Sequence, residues 1–450
     1  MRIHFIGIGG IGISALAQYY LAQGDEVFGS DLCESETIEL LRKKGAHINI
    51  GPHKPKNVPD SVDLVIHTPA VRPDNPELKQ SKAKILSYPE ALGELTKKYF
   101  TIAISGMHGK STITAMLALI MEKAGIDPTV IMGTKLKEFG NTNFRKGNSQ
   151  YLLIEADEYA ASFLNYWPKI IVISNIEEEH LDYYKNFENI CKAFKEFISH
   201  LPADGKLIIN ADDKRLQSLI SSGSEFFSQN IIKYGFGQKE AKKIKEILQV
   251  PGDHNVSNAL AALAVARVLQ IPDNTIFKAL SEYQGAWRRF EILDAELCGI
   301  NRGTARKITI VSDYGHHPTE IKATLKAARE RWPEKKIWLV YQPHQYERTY
   351  YFFDKFAEVF GHSLVDKIIL LPVYDVAGRE NAQTKQKANS QKLTQAVIEK
   401  MNRKKQDKEI IYIESFNKAK QHIEKNIKGG EIVFIMGAGD IYNLFKMFST

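Results

Sequence analysis

The sequence predicts an α/β protein of three successive domains, each a mostly parallel sheet covered by helices. Three observations carry this. Short β-branched strands alternate with helical periods along the whole chain, the pattern of parallel sheets. Two strands run straight into glycine-rich turns that open helices, at Gly7 and at Gly106. The chain has 450 residues, about three times the ~150-residue domain prior.

In the first set, strands are expected at Arg2–Ile6, Glu26–Gly29 and Asp63–His67, with helices near Ile13–Gln23 and Ser35–Lys44. The second set opens with strand Tyr99–Ser105. It continues through strands Tyr151–Glu155, Ile170–Ser174 and Lys206–Asn210 and a small-residue helix, Asn258–Leu269. A third set follows Arg289, with strands Ile308–Val311, Lys336–Tyr341, Lys367–Leu371, Glu409–Ile413 and Glu431–Met436. The resulting domains are 1–98, 99–288 and 289–450. The lysine-rich stretches Gln238–Ile247 and Gly378–Gln391 read as surface loop or frayed helix.

Composition narrows the function classes. The chain is 44% hydrophobic and 25% charged, which excludes a mainly disordered polypeptide. No apolar run approaches the ~20 residues of a membrane span, so no membrane partner is expected. The opening MRIHFIGIGG reads as a strand entering a glycine turn rather than a signal peptide. Cys33, Cys191 and Cys298 lie too far apart for a disulfide framework or zinc cluster, and a reducing cytoplasm is expected. The net charge of +7 is small for this length. The basic runs Lys242–Lys245 and Arg403–Lys405 read as solvated helix faces, and no nucleic-acid partner is expected.

Gly7-Ile8-Gly9-Gly10-Ile11-Gly12 fits G-x-G-x-x-G between a strand and a helix. Glycines let such a turn close tightly and bring backbone N–H groups to a pyrophosphate at the helix N-terminus. Asp31 follows at the end of the next strand, where a ribose hydroxyl is read. Taken alone, the motif fits a nicotinamide or flavin oxidoreductase, a nucleotide-sugar site or a bare turn.

The second glycine loop is more informative. Thr101-Ile-Ala-Ile-Ser-Gly106-Met107-His108-Gly109-Lys110-Ser111-Thr112 is a strand, a glycine loop and a helix opened by Lys-Ser-Thr. Backbone N–H groups cradle phosphates, Lys110 reaches the β/γ oxygens, and a hydroxyl on Ser111 or Thr112 holds Mg²⁺. The strict pattern has glycine where Ile104 stands, so the loop begins at Gly106. Strand Tyr151–Glu155 then delivers Glu155, Asp157 and Glu158 at the tip of an apolar run, where a carboxylate completes a magnesium shell. Another strand end supplies Asn175 and His180 for a second cation or an acyl phosphate.

Together these residues resemble the Mur ligases, the ATP-dependent amino-acid ligases of peptidoglycan synthesis. Their loop G-T-x-G-K-[ST]-[ST] corresponds to Gly106–Thr112, and H-N-x-x-N-A-x-A-A to His254–Ala262. Arg288-Arg-Phe-Glu291 is similar to their arginine motif. Gly7–Ser14, Asp313-Tyr-Gly-His316-His317-Pro-Thr-Glu320, Gln342-Pro-His344-Gln345-Tyr-Glu-Arg348-Thr349 and Met436–Ile441 resemble members acting on UDP-N-acetylmuramate. Gln345 stands where that pattern has Arg, and Tyr159-Ala160 where it has Ser-Asp.

The resemblance implies one ligand class for each domain. The first would bind UDP-N-acetylmuramate through Gly9, Gly10, Gly12, Ser14 and Asp31. The second would bind ATP through Gly106–Thr112, with Asn258 on the adenine and Arg288 reaching the phosphates. Mg²⁺ would sit on Ser111, Glu155 and His180, and Lys110, Glu155 and His180 would be the catalytic residues. The third would bind the incoming amino acid, L-alanine or alternatively another amino acid or a peptide, near His316, His344 and Arg348. A carboxylate would attack the γ-phosphate of ATP, and an amine would attack the resulting acyl phosphate. The His316-His317 doublet could pass for a metal pair, but a helix entry closed by Pro318 is the preferred reading.

Overall fold

The computed structural model describes residues 1–221, 230–297, 306–376, 382–403 and 408–448. Cys298, Lys404, Lys405 and the start of the Gly378–Gln391 stretch lie outside these residues. The chain divides into two compact units. The first holds Met1–Leu248 with Val256–Tyr283, and the second holds Gln249–Asn255 with Gln284–Thr450.

The first unit contains two sheets. One is parallel throughout, in the order β3-β2-β1-β4-β5: β1 Arg2–Ile6, β2 Glu26–Asp31, β3 His47–Ile50, β4 Leu64–His67 and β5 Lys84–Ser87. The other has the order β12-β11-β10-β6-β9-β7-β8. Its strands are β6 Phe100–Ser105, β7 Thr129–Leu136, β8 Thr142–Arg145, β9 Tyr151–Glu155, β10 Ile170–Ile173, β11 Lys206–Asn210 and β12 Ile231–Tyr234. Only β7 and β8 pair antiparallel among these described strands. The central strands are apolar and buried on both faces, as parallel sheets between helix layers require.

The two sheets of this unit share a core. Buried side chains from Ile3 to Leu219 form one cluster. Helix Ile11–Ala22, which follows the first glycine turn, packs on β7 and β8. Its Gln18 Nε2 donates to Asn143 Oδ1 on β8 (2.8 Å), away from water. A satisfied buried amide pair fixes the register between two surfaces more sharply than apolar contact alone.

The second unit has a sheet of order β13-β14-β18-β15-β16-β17. Its strands are β13 Glu291–Leu297, β14 Arg306–Asp313, β15 Ile337–Tyr341, β16 Lys367–Leu370, β17 Glu409–Tyr412 and β18 Ile432–Met436. It is parallel except for the β13–β14 pair. Separate apolar clusters cover its two faces.

Strands β3, β5, β7, β8, β12 and β13 are not among those expected, and two further stretches differ from the sequence reading. Residues Glu240–Ile247 form a regular helix because Ala241 and Ile244 bury one face, and Glu240 accepts a 2.7 Å bond from Arg267. The helix expected from Asn258 begins at Asp253.

Candidate active site

In the first unit, the chain leaves β6 into Gly106–Gly109. Gly106 and Gly109 have φ of +116° and +88°. A Cβ on Gly106 would collide with Ser174, and one on Gly109 with the Asn258 amide. Glycine is required at both places for conformation and for space. The helix Lys110–Lys123 starts at once, so its first N–H groups face the loop. Asn258, expected on the adenine, lies against the loop at Gly109.

The loop is braced from behind. His108 N–H donates to Asn175 Oδ1, and Asn175 Nδ2 donates to His108 O, both at 3.0 Å. Ser174 Oγ donates to the same carbonyl at 2.6 Å. Asn175, expected beside acyl oxygens, thus commits both ends of its amide to loop backbone. His108 Nε2 lies 3.1 Å from Glu177 Oε2.

The first helical side chains meet the carboxylates that follow β9. Ser111 Oγ donates to Glu155 Oε2 (2.9 Å), whose other oxygen accepts from Gly133 N–H (2.7 Å). Lys110 Nζ donates to Glu158 Oε2 (2.7 Å) and to the carbonyls of Gly106 (2.7 Å) and Met107 (3.3 Å). Glu158 is 1% exposed, and its second oxygen lies 3.3 Å from His180 Nε2. Burial alone would lower the Lys110 pKa, but Glu158 and then Asp157 hold it above the usual lysine value. Burial would raise Glu158, yet Lys110 and His180 keep it below the usual carboxylate value. Ser111 is thus joined to Glu155, and His180 to Glu158. Asp157, Glu158 and His180 can offer ligand atoms within 4.8 Å of one another.

In the sequence Glu158 reads only as one of three carboxylates at a strand end, with no role of its own, whereas it is the partner of Lys110. Its signal was available: a third carboxylate three residues beyond Glu155, opposite a loop lysine.

The first glycine turn is also built from beneath. Gly7 and Ile8 N–H donate to Ser30 O on β2 (2.8 and 3.1 Å). Gly9 N–H donates to Asp31 Oδ2 (2.8 Å), and Leu32 N–H to Asp31 Oδ1 (2.7 Å). Asp31 draws the turn onto the end of β2, and a Cβ on Gly9 would press into its carboxylate. Gly10 is exposed at the helix cap, whereas Gly12 packs against the Tyr88 ring. Ser14, expected to touch the sugar nucleotide, is fully buried. Its hydroxyl donates to Ile11 O (3.0 Å) and accepts from Asn143 Nδ2 (3.2 Å). It supports the turn from inside the helix.

Below the turn lies a buried carboxylate, Glu77. It accepts from Ser30 Oγ (2.7 Å), Asn57 Nδ2 (2.7 Å), His4 Nε2 (2.9 Å) and His53 Nδ1 (2.9 Å). Burial would raise its pKa, but these four donors bring it down from the ordinary 4.5 to about 2.

In the second unit Arg288 of the arginine motif is turned toward the unit's own backbone. Arg288 is 6% exposed, and its guanidinium donates to the carbonyls of Gly437 and Gly439. The Tyr314, Tyr442 and Trp287 rings surround it, with centroids at 4.9, 5.4 and 5.5 Å. Left-handed backbone at Arg288 (φ +56°) and Phe290 (φ +54°) turns Arg288 inward. Arg288 is thus engaged by backbone carbonyls of its own unit. Arg289 keeps a partly open guanidinium, 5.0 Å from the Tyr314 ring and 4.0 Å from Glu320.

His316, His344 and Arg348 come together. The two imidazole rings lie 6.2 Å apart, and Arg348 Nη1 donates to His344 Nδ1 (3.1 Å). His344 also stacks on Tyr374 at 5.4 Å. His317 is fully buried and caps helix Pro318–Arg331 by accepting from Thr319 N–H (3.3 Å), so the doublet is a helix entry. Gln345 caps the next helix with φ +70°, and its N–H donates to Tyr374 O (3.0 Å).

A nucleotide-style turn and a phosphate loop facing carboxylates, followed by a third α/β sheet, define a multidomain nucleotide-binding architecture. Residues 2–100 match the model of the Mur ligase family, catalytic domain; 104–266 match the Mur ligase middle domain; and 288–439 match the Mur ligase, glutamate ligase domain. The chain belongs to the Mur ligase family. It is 39% identical to the UDP-N-acetylmuramate–L-alanine ligase of Acetivibrio thermocellus, over 99% of this chain and 95% of that one. Identity to the ligase of the same name from Caldanaerobacter subterraneus subsp. tengcongensis is 37%, over 99% and 97%. Among solved structures, the UDP-N-acetylmuramate–alanine ligase of Thermotoga maritima is similar, with a TM-score of 0.78 at 28% identity. That match covers 100% of this chain and 98% of the other. A murein peptide ligase of Psychrobacter arcticus shares the fold, with a TM-score of 0.70 at 23% identity over 100% and 98%.

Proposed function

We propose that the protein joins L-alanine to the carboxyl group of UDP-N-acetylmuramate, converting ATP to ADP and phosphate. The observation that carries this reading is the pairing of successive helix-opening residues with two carboxylates, Lys110 with Glu158 and Ser111 with Glu155. The names of the full-length relatives supply the substrates.

The glycine cradle fits a triphosphate, because the loop closes only without side chains at Gly106 and Gly109. The hydroxyl of Ser111 and the carboxylate of Glu155 are hard oxygen donors and fit Mg²⁺. When bound, that ion neutralises charge on the transferring phosphoryl group. Loop N–H groups orient the phosphates, and Lys110 offers its charge to the β/γ oxygens. Glu158 keeps the ammonium protonated and directed into the loop, with His180 on its other oxygen.

The chemistry runs in two transfers. A carboxylate oxygen of the UDP-sugar attacks the γ-phosphorus, and the bond to ADP breaks. The amine of L-alanine then attacks the acyl carbon, and the bond to phosphate breaks. A bare carboxylate does not react with an amine at neutral pH, so activation is required. Positioning and charge neutralisation provide most of the acceleration. In this reading the Gly7–Gly12 turn takes the nucleotide, and the His316, His344 and Arg348 cluster takes the amino acid.

A coupled phosphate-release assay tests the proposal, using ATP, UDP-N-acetylmuramate and a panel of amino acids and short peptides. Release should require the UDP-sugar and be greatest with L-alanine. Greater release with a tripeptide, or none dependent on the sugar nucleotide, would overturn it. NADH should not bind; micromolar binding by calorimetry would revive an oxidoreductase reading of the first turn.

A further inference from the structure

Tyr88 stands apart from every role assigned above. It is the first residue of helix Tyr88–Thr96, and its place is rigid. The preceding Ser87 N–H and Oγ both donate to Glu90 Oε2 at 2.7 Å, closing a capping box, and Pro89 follows. The Tyr88 ring lies on Gly12. A Cβ there would come within 3.0–3.2 Å of its Cζ, Cε1 and Oη atoms. The small residue that this turn pattern places at its third glycine makes room here for a phenol.

The helix that Tyr88 opens packs on Tyr159–Asn165, the turn that follows Asp157 and Glu158. Burial raises the Tyr88 pKa well above the usual phenol value, and the charges of Glu155 and then Asp157 raise it further. The ring is packed against the core of the first unit, but the residue is only partly buried. Its hydroxyl has no hydrogen-bond partner among the described residues. The result is a fixed, protonated, unengaged donor on the nucleotide turn, at the head of a helix packed against the segment that follows the carboxylates.

We propose that the Tyr88 hydroxyl binds the lactyl carboxylate of UDP-N-acetylmuramate and orients it toward the phosphate loop. The inference rests on the proposed function and extends it to a specificity-determining contact. A substrate held by its nucleotide at Gly9–Gly12 must carry its carboxylate toward Lys110 and Ser111, past Tyr88. Glu155, Asp157 and Glu158 make that path unfavourable for an anion. A neutral donor that cannot ionise offsets this repulsion without adding a fixed charge that would compete for the phosphates.

The test is Tyr88→Phe in the full chain, which keeps the ring on Gly12 and removes only the hydroxyl. Calorimetry would measure UDP-N-acetylmuramate, UDP-N-acetylglucosamine and ATP; the second ligand has the same nucleotide and amino sugar but no lactyl carboxylate. UDP-N-acetylmuramate should weaken about tenfold, the scale of one hydrogen bond to a charged group. UDP-N-acetylglucosamine and ATP should stay within twofold. Equal weakening of both UDP-sugars would show a structural or nucleotide-side role and overturn the inference, as would no change in either. If wild-type protein fails to bind UDP-N-acetylmuramate, the proposed function falls first and this contact with it.

Discussion

Replacing Glu77 with Gln should cost about 3 kcal/mol of stability at pH 7 and much less in acid. The magnitude follows from the carboxyl being held at about 2 instead of 4.5, at 1.36 kcal/mol per pKa unit. The side chain is 0% exposed, so solvent screening does not reduce this figure. Because the folded value is the lower one, stabilisation is complete above the unfolded value near 4.5. It is lost as pH falls from there through about 2. The deficit of Glu77→Gln relative to wild type should therefore shrink from ~3 kcal/mol at pH 7 to ~1.4 kcal/mol at pH 3. The Gln amide also places N–H donors against donors from His4, Ser30, His53 or Asn57, which adds to the loss. Urea unfolding at several pH values, followed by far-ultraviolet circular dichroism, measures the difference. A deficit that is the same at pH 3 and pH 7, or below ~0.5 kcal/mol at pH 7, would refute the reasoning.

Lys110→Ala should reduce ligation by at least ~10³-fold and leave UDP-N-acetylmuramate affinity within threefold, since the loop lysine serves the phosphates. Phosphate release within tenfold of wild type would count against the loop assignment. Glu158→Gln leaves Lys110 without its buried partner and should lower stability by about 3 kcal/mol, whereas Glu155→Gln should mainly raise the Mg²⁺ needed for half-maximal release. Melting curves and a magnesium titration separate the two, and the opposite pattern would exchange their roles. Arg288→Met should destabilise the second unit by about 2 kcal/mol because two buried carbonyls lose their donor, while Arg289→Met should leave the melting temperature unchanged. Gln345→Arg should lower KM for L-alanine or the UDP-sugar about tenfold if the side chain meets a substrate carboxylate; unchanged KM for both shows that it does not.

The parts of the fold legible in the sequence were those whose chemistry is local. β10 (Ile-Ile-Val-Ile) and β18 (Ile-Val-Phe-Ile-Met) are continuous apolar runs because both faces are covered. The two glycine turns announce themselves because no other residue fits their backbone. Strands β3, β5, β7, β8, β12 and β13 were missed; β3 and β5 are largely exposed strands of four residues and carry too little apolar signal. The Glu77 network was invisible, since its donors lie 20 to 73 residues away along the chain. The arginine doublet shows the limit most clearly. Arg288 and Arg289 are indistinguishable as letters, and only the positive φ at 288 and 290 decides which guanidinium is buried. Glu158 was at hand in the sequence, but its partner Lys110 is 48 residues away.

The place of β18 has a consequence for how the protein is made. It follows β13 to β17 in the chain, yet it lies between β14 and β15 and pairs with both. Until residue 436 has left the ribosome, the third sheet has a gap at its centre, with two buried-type strands exposing unpaired N–H and C=O groups. The sheets of the first unit face no such delay, since all of their strands have emerged by Tyr234. During synthesis the nucleotide-turn and phosphate-loop half can therefore be finished and closed while the remainder is still an open, aggregation-prone template. Slowing translation after residue 283 would lengthen the exposure of that template, whereas slowing it earlier would not.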